Sequence, residues 1–246
     1  AWQTVAPSGI AYGPGWHTPE ALGDNSLARV KQAFVQATER ALRLDFDAIE
    51  LHGAHGYLLH QFLSPISNQR NDRYGGSLEN RMRFPLEVFD AVRAVWPGNR
   101  PIGMRLSATD WIEGGWDVEG SIAFTRALKE RGCDFVDVSS GGLAPAQVIS
   151  SAPGYQAAFA ADIRKSTGLT TMAVGRITEP HQAETILQTG QADMIAMARG
   201  MLYNPRWAWH AAGELRSDAM FPAQYARSHP SMQGEPIPGN PPIPKD

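Results

Sequence analysis

Leu27, Val30, Phe34, Ala37 and Ala41 are apolar residues three and four positions apart, separated by polar ones. That spacing gathers them on one stripe and predicts an amphipathic helix to about Leu42, capped by Asn25 or Ser26. FDAIELH follows, a short apolar run bounded by Asp45 and Gly53, and its length suits a strand buried on both faces. The helix-then-strand pattern repeats down the chain. Ser77 is expected to cap a helix to about Trp96, and Pro97 to Pro101 turn the chain into the strand IGMRLS. Asp117 caps a helix to Arg131 that Gly132 ends, and DFVDVSS is the next strand. A helix from about Tyr155 to Ser166 passes through Gly168 into TTMAVG. Thr178, with Pro180 in the first turn, opens a helix ending near Gly190 before the last strand, ADMIAM. Pro205 begins a final helix, PRWAWHAAGELR.

Strands alternating with helices predict an α/β fold with a parallel sheet, either a barrel or a doubly wound sheet. No GxGxxG opens any helix, which disfavours the second, and the polar and glycine-rich clusters follow strand C-terminal ends, where barrel active sites lie. A (β/α)8 TIM barrel needs eight strands and the pattern supplies five, so three are expected to precede Ala1. Residues 1–229 then form the C-terminal part of one barrel domain. Residues 230–246, with six of the 18 prolines, form an extended tail.

Composition narrows the function. The net charge of −3 comes from interspersed acids and bases without a basic stripe, which argues against nucleic acid as a partner. A single cysteine, Cys133, permits no internal disulfide or cysteine-built metal centre and suits a reducing, cytoplasmic setting. No run approaches the roughly 18 apolar residues of a membrane span.

The chemistry concentrates in HGAHGY, directly after the first strand. His52 and His55 can donate N–H bonds to a carbonyl oxygen, and the Tyr57 phenol can deliver a proton to a carbon gaining negative charge. The same residues could be a zinc pair or two structural histidines; zinc would need a third ligand, and no HExxH-like spacing supplies one. Arg105 lies inside an otherwise apolar strand, where a guanidinium needs a partner.

The continuous stretch HGAHGYLLHQFLSPISNQRNDRYGGSLENRMRF resembles the long signature of the Old Yellow Enzyme family, in its thermophilic-like, xenobiotic-reductase subgroup, and the similarity runs from VAPSGIAYG to PAQYARS. The resemblance implies an FMN-dependent ene-reductase. Hydride passes from NADH or NADPH by way of FMN to the β-carbon of an α,β-unsaturated carbonyl or nitro compound. It implies that His52 and His55 bind the activating group, that His52 also contacts the flavin, and that Tyr57 protonates the α-carbon. Arg105 matches the arginine beside the flavin pyrimidine. Ser139, Gly175, Arg176, Ala198 and Arg199, with Gly200 adjacent, follow strands six to eight and match the phosphate site; relatives often have Gly where this chain has Ala198. Trp111 and Trp116 are near enough in sequence to line the entrance, and Trp207 adds aromatic surface. Arg227 aligns with an arginine that reaches into a neighbouring subunit, implying a homodimer. Alternatives are a dienoyl-CoA reductase built on the same barrel, which the lone cysteine disfavours, and a non-catalytic half-barrel awaiting a complementary chain.

Overall fold

The computed structural model describes residues 2–220 and 222–228. Two short strands, β1 (Val5–Ala6) and β2 (Glu20–Ala21), pair in parallel ahead of helix α1 (Asp24–Arg43). The chain then runs β3 (Ile49–Gly53), α2 (Leu58–Leu63), α3 (Leu78–Val95), β4 (Ile102–Ser107), α4 (Val118–Glu130), β5 (Phe135–Ser139) and α5 (Ala157–Thr167). It ends with β6 (Thr170–Ala173), α6 (Pro180–Gln188), β7 (Met194–Ile195), α7 (Arg199–Tyr203) and α8 (Trp207–Glu214). The five strands β3 to β7 pair in sequence order and all in parallel, as the alternating pattern predicts. Among the described residues the sheet is open, with β3 and β7 at its edges.

Alternation along these strands makes two faces. Leu51, Met104, Leu106, Val136, Val138 and Ala173 are buried in the core beneath the helices. The alternate residues turn to the other face, and register aligns them in layers. His52 pairs with Arg105, Arg105 with Asp137, and Asp137 with Met172. One layer below, Gly103 lacks a side chain because the Phe135 ring occupies its place: a Cβ there would lie 2.3 Å from that ring.

The caps follow the sequence in two of four cases. Ser77 accepts from the Asn80 amide and Asp117 from the Gly120 amide, each satisfying a donor that the first helical turn leaves open. Helix α1 is instead capped by Gly23, which arrives extended from β2 and makes no side-chain bond, so Asn25 and Ser26 fall inside the first turn. Glu179, not Thr178, precedes α6, and α8 starts at Trp207 rather than Pro205. Asp45 adopts the left-handed conformation (φ 58°), as does Gly168 (φ 61°) at the end of α5. No helix among the described residues is long and apolar enough to cross a membrane.

Candidate active site

At the C-terminal end of β3 the chain passes from His52 through Gly53 and Ala54 into two left-handed residues, His55 (φ 58°) and Gly56 (φ 74°), before Tyr57 caps α2. Gly56 is required on two counts. Its φ disfavours a side chain, and a Cβ would meet the Gly142 carbonyl oxygen at 2.3 Å. The strained turn at His55 is held by its amide, which donates to Ser107 Oγ (3.0 Å), and by its ring, whose Nε2 lies 2.7 Å from Ser139 Oγ. This turn brings the three rings together: the His52 centroid is 5.2 Å from that of His55 and 5.3 Å from that of Tyr57. Tyr57 remains exposed. It shares a cleft of about 530 Å3 with His55 and with Tyr12, Trp16 and Leu143.

Burial lowers the proton affinity of His52, with the Arg105 guanidinium adding to the effect. The same causes, joined by the neighbouring imidazoles, hold His55 at about 4 against an ordinary value of 6.5. Both rings are therefore neutral at pH 7, each with one N–H to donate. Between pH 6.5 and about 4 the unfolded chain binds a proton at His55 that the folded chain does not. The His55 contribution to stability is thus present above that window and lost as pH falls through it. Glu50 and Asp137 act in the opposite sense, so the comparison is with a variant: His55→Asn is expected to lose less stability than the parent between pH 7 and pH 4.5, read by urea unfolding. Parallel losses would place the proton elsewhere.

Arg105, on β4, finds its partner in Asp137 of β5, Nε to Oδ2 at 3.0 Å. Asp137 is raised to about 6 by burial, opposed by Arg105. Glu50, still in contact with solvent, is raised to about 7 by partial burial and then by the Asp137 carboxylate. Sequence reasoning identified Arg105 and missed both acids; the alternation of DFVDVSS opposite IGMRLS was the available signal for Asp137.

A second cleft of about 510 Å3 brings together Arg105, Ser139, Gly175, Arg176, Ala198, Arg199 and Gly200. Gly175 has φ 125°, and a Cβ would meet Gln156 Nε2 at 2.8 Å and Tyr155 at 3.1 Å, so the backbone here is bare because nothing larger fits. Neither Arg176 nor Arg199 forms an ion pair with any described residue. The cleft is braced by Gln156, buried between two strand ends. It accepts from Ser140 Oγ at 2.5 Å and donates to the Val174 carbonyl at 3.0 Å. Nothing in the sequence marks this glutamine.

The tryptophans separate. Trp116 is buried and donates its indole N–H to Ser121 Oγ at 2.7 Å, which makes it a core residue rather than part of an entrance. Trp111 (φ 59°) lines neither cleft and packs against Phe159 and Tyr155, with ring centroids 5.4 and 6.4 Å away. Trp207 donates to the Thr178 carbonyl at 2.5 Å. Arg227 falls in the 3-10 turn Ala223–Ser228, and its side chain and the tail 230–246 lie outside the described residues. No group of three or more His, Cys, Asp or Glu side chains is arranged to hold a metal among the described residues.

An α/β protein with a cation-lined cleft and a polar triad at its strand ends is the class these features define. Residues 15–218 match the NADH:flavin oxidoreductase / NADH oxidase family, and the chain belongs to that family, in keeping with the resemblance in its sequence. It is 45% identical over 225 residues to an NADPH dehydrogenase of Geobacillus thermodenitrificans, a match covering 92% of this chain and 65% of the relative. It is 46% identical over 222 residues to an NADPH dehydrogenase of Bacillus subtilis, covering 90% and 65%. Among solved structures, morphinone reductase in complex with tetrahydroNAD is similar with a TM-score of 0.71 at 29% identity, covering 91% of this chain and 63% of that one. The chain thus spans 65% of the length of these curated relatives.

Proposed function

We propose that this chain forms the substrate face and the phosphate end of an FMN-dependent ene-reductase acting on α,β-unsaturated carbonyl or nitro compounds. The observation that carries this reading is the convergence of His52, His55 and Tyr57 at one strand end, beside a cleft holding Arg105, Arg176 and Arg199. The second cleft fits FMN. Gly175 leaves its backbone open to a phosphate, the two arginines, without acidic partners among the described residues, supply its countercharge, and Ser139 and the Ala198 and Gly200 backbone complete the cradle. Arg105 and His52 would lie toward the flavin ring. When bound, FMN supplies hydride transfer, from NADH or NADPH to the β-carbon of the substrate.

The residues of this chain do the rest. The neutral rings of His52 and His55 present N–H donors to the carbonyl or nitro oxygen, so charge developing there meets donors already in place. The Tyr57 phenol gives its proton to the α-carbon. Arg105, fixed by Asp137, offers a positive charge where an electron-rich ring would lie. The five strands are read as strands four to eight of an eight-stranded barrel, with residues 1–229 in that domain, and a homodimer would allow Arg227 to reach a neighbouring site.

The test is spectroscopic. Purified protein supplied with FMN is expected to show absorbance at about 450 nm that bleaches anaerobically with NADPH and returns on adding cyclohexenone. Protein that stays colourless, or a bleached flavin that cyclohexenone does not reoxidise, would count against the reading.

A further inference from the structure

Beneath the His55–Tyr57 turn lie two fully buried titratable side chains that line neither cleft, His60 on α2 and Asp110 after β4. The Gly56 amide donates to His60 Nδ1 at 2.9 Å, so that nitrogen carries no proton. The ring's single proton is then on Nε2, which lies 3.0 Å from Asp110 Oδ1 in a charge contact that is not aligned as a hydrogen bond. The other Asp110 oxygen accepts from Ser64 Oγ (2.6 Å) and from the Trp116 amide (2.7 Å), which fixes the carboxylate in place. The Gly56 carbonyl, for its part, accepts from Gln61 Nε2 at 2.7 Å. Both backbone polar groups of Gly56, the residue between the catalytic candidates, are thus held by consecutive side chains of one helix.

We propose that Asp110 and His60 form a tautomer lock: the carboxylate keeps the His60 proton on Nε2, and the bare Nδ1 holds the Gly56 amide and so the left-handed turn that aims His55 and Tyr57. Both are positioning residues, acting through the backbone, and their effect on turnover rests on the substrate-facing roles read above for His55 and Tyr57. The lock depends on polarity and not on bulk. An acceptor-only group must face Nε2, because a donor there would drive the proton to Nδ1 and set it against the Gly56 N–H. Asp110→Asn is the discriminating change. Its amide oxygen can still serve Ser64 and the Trp116 amide, leaving the NH2 to face His60.

The experiment has two arms, both on the FMN-loaded protein. Long-range 1H–15N spectra, with the His60 signals assigned by their loss in His60→Asn, are expected to show Nε2 protonated and Nδ1 bare in the parent, and the reverse or a mixture in Asp110→Asn. Cyclohexenone turnover is expected to fall on the order of tenfold to a hundredfold in kcat for Asp110→Asn, with flavin content unchanged and KM moving less. His60→Asn, which keeps an acceptor near the Nδ1 position, should retain more turnover than His60→Leu; a packing role alone would reverse that order. A parent protein protonated at Nδ1, Asp110→Asn with parental kcat, or His60→Leu matching His60→Asn each overturns the proposal. If the parent reduces no activated alkene, the functional reading fails and the spectra alone decide the lock.

Discussion

Replacing Tyr57 with phenylalanine is expected to slow reduction of an activated alkene by about a hundredfold to ten-thousandfold, the range that a positioned general acid contributes. Flavin reduction by NADPH should proceed at close to the parental rate. The asymmetry follows from where the proton is needed. In the proposed reaction, hydride delivery to the β-carbon leaves the α-carbon carbanion-like, and only that step asks for a proton from the protein. The turn that precedes Tyr57 puts it where the proposed role needs it: Tyr57 caps α2, is exposed to the cleft, and has its ring 5.3 Å from His52. Because the ring makes its contacts without the hydroxyl, the phenylalanine variant keeps the packing and removes the proton. Stopped-flow measurement of the two half-reactions separates the cases. Equal slowing of both would remove Tyr57 from this role.

Arg105→Leu is expected to cost about 3–5 kcal/mol of stability, the usual result of leaving one member of a buried pair alone, and to abolish FMN retention. Asp137 keeps only 4% of its side chain exposed, and Arg105 is the cation that lowers its proton affinity. Without that cation the carboxylate is raised further from its unfolded value of 3.8. A group raised on folding contributes stability that is full below its unfolded pKa and is lost as pH rises through the folded one, so the variant should lose more stability than the parent between pH 5 and pH 8. The double variant Arg105→Leu/Asp137→Leu removes both charges and should recover most of the stability while still failing to hold FMN. Denaturant unfolding and flavin absorbance, measured on the same samples, check the two halves separately. Recovery of FMN binding in the double variant would show that Arg105 acts on the fold and not on the cofactor.

Much of the scaffold was legible in the chain. Strands such as IGMRLS and DFVDVSS are short apolar runs between capped helices, and Ser77 and Asp117 announce their caps because each satisfies a local backbone donor. The two-residue strands β1 and β2 and the single-turn-and-a-half helix α2 were not legible. Elements that short span too few residues to establish a period, and only their neighbours stabilise them. Trp116 shows the limit of reading by proximity: five residues from Trp111 in DWIEGGW, it turns into the core because Ser121, one helical turn on, takes its N–H.

The sequence by itself determined the order of strands and helices, the glycine that frees the backbone at Gly175, and the identities of His55, Tyr57 and the arginines that reach the two clefts. Those features depend on local propensity or on residue chemistry, which the chain carries wherever it goes. Only the tertiary structure decided that Asp137 answers Arg105, that Gln156 ties Ser140 to Val174, and that His60 and Asp110 sit back to back under the active turn. These are pairings between residues 16 to 50 positions apart, set by parallel register and by which face each side chain takes, and neither is written in any one segment.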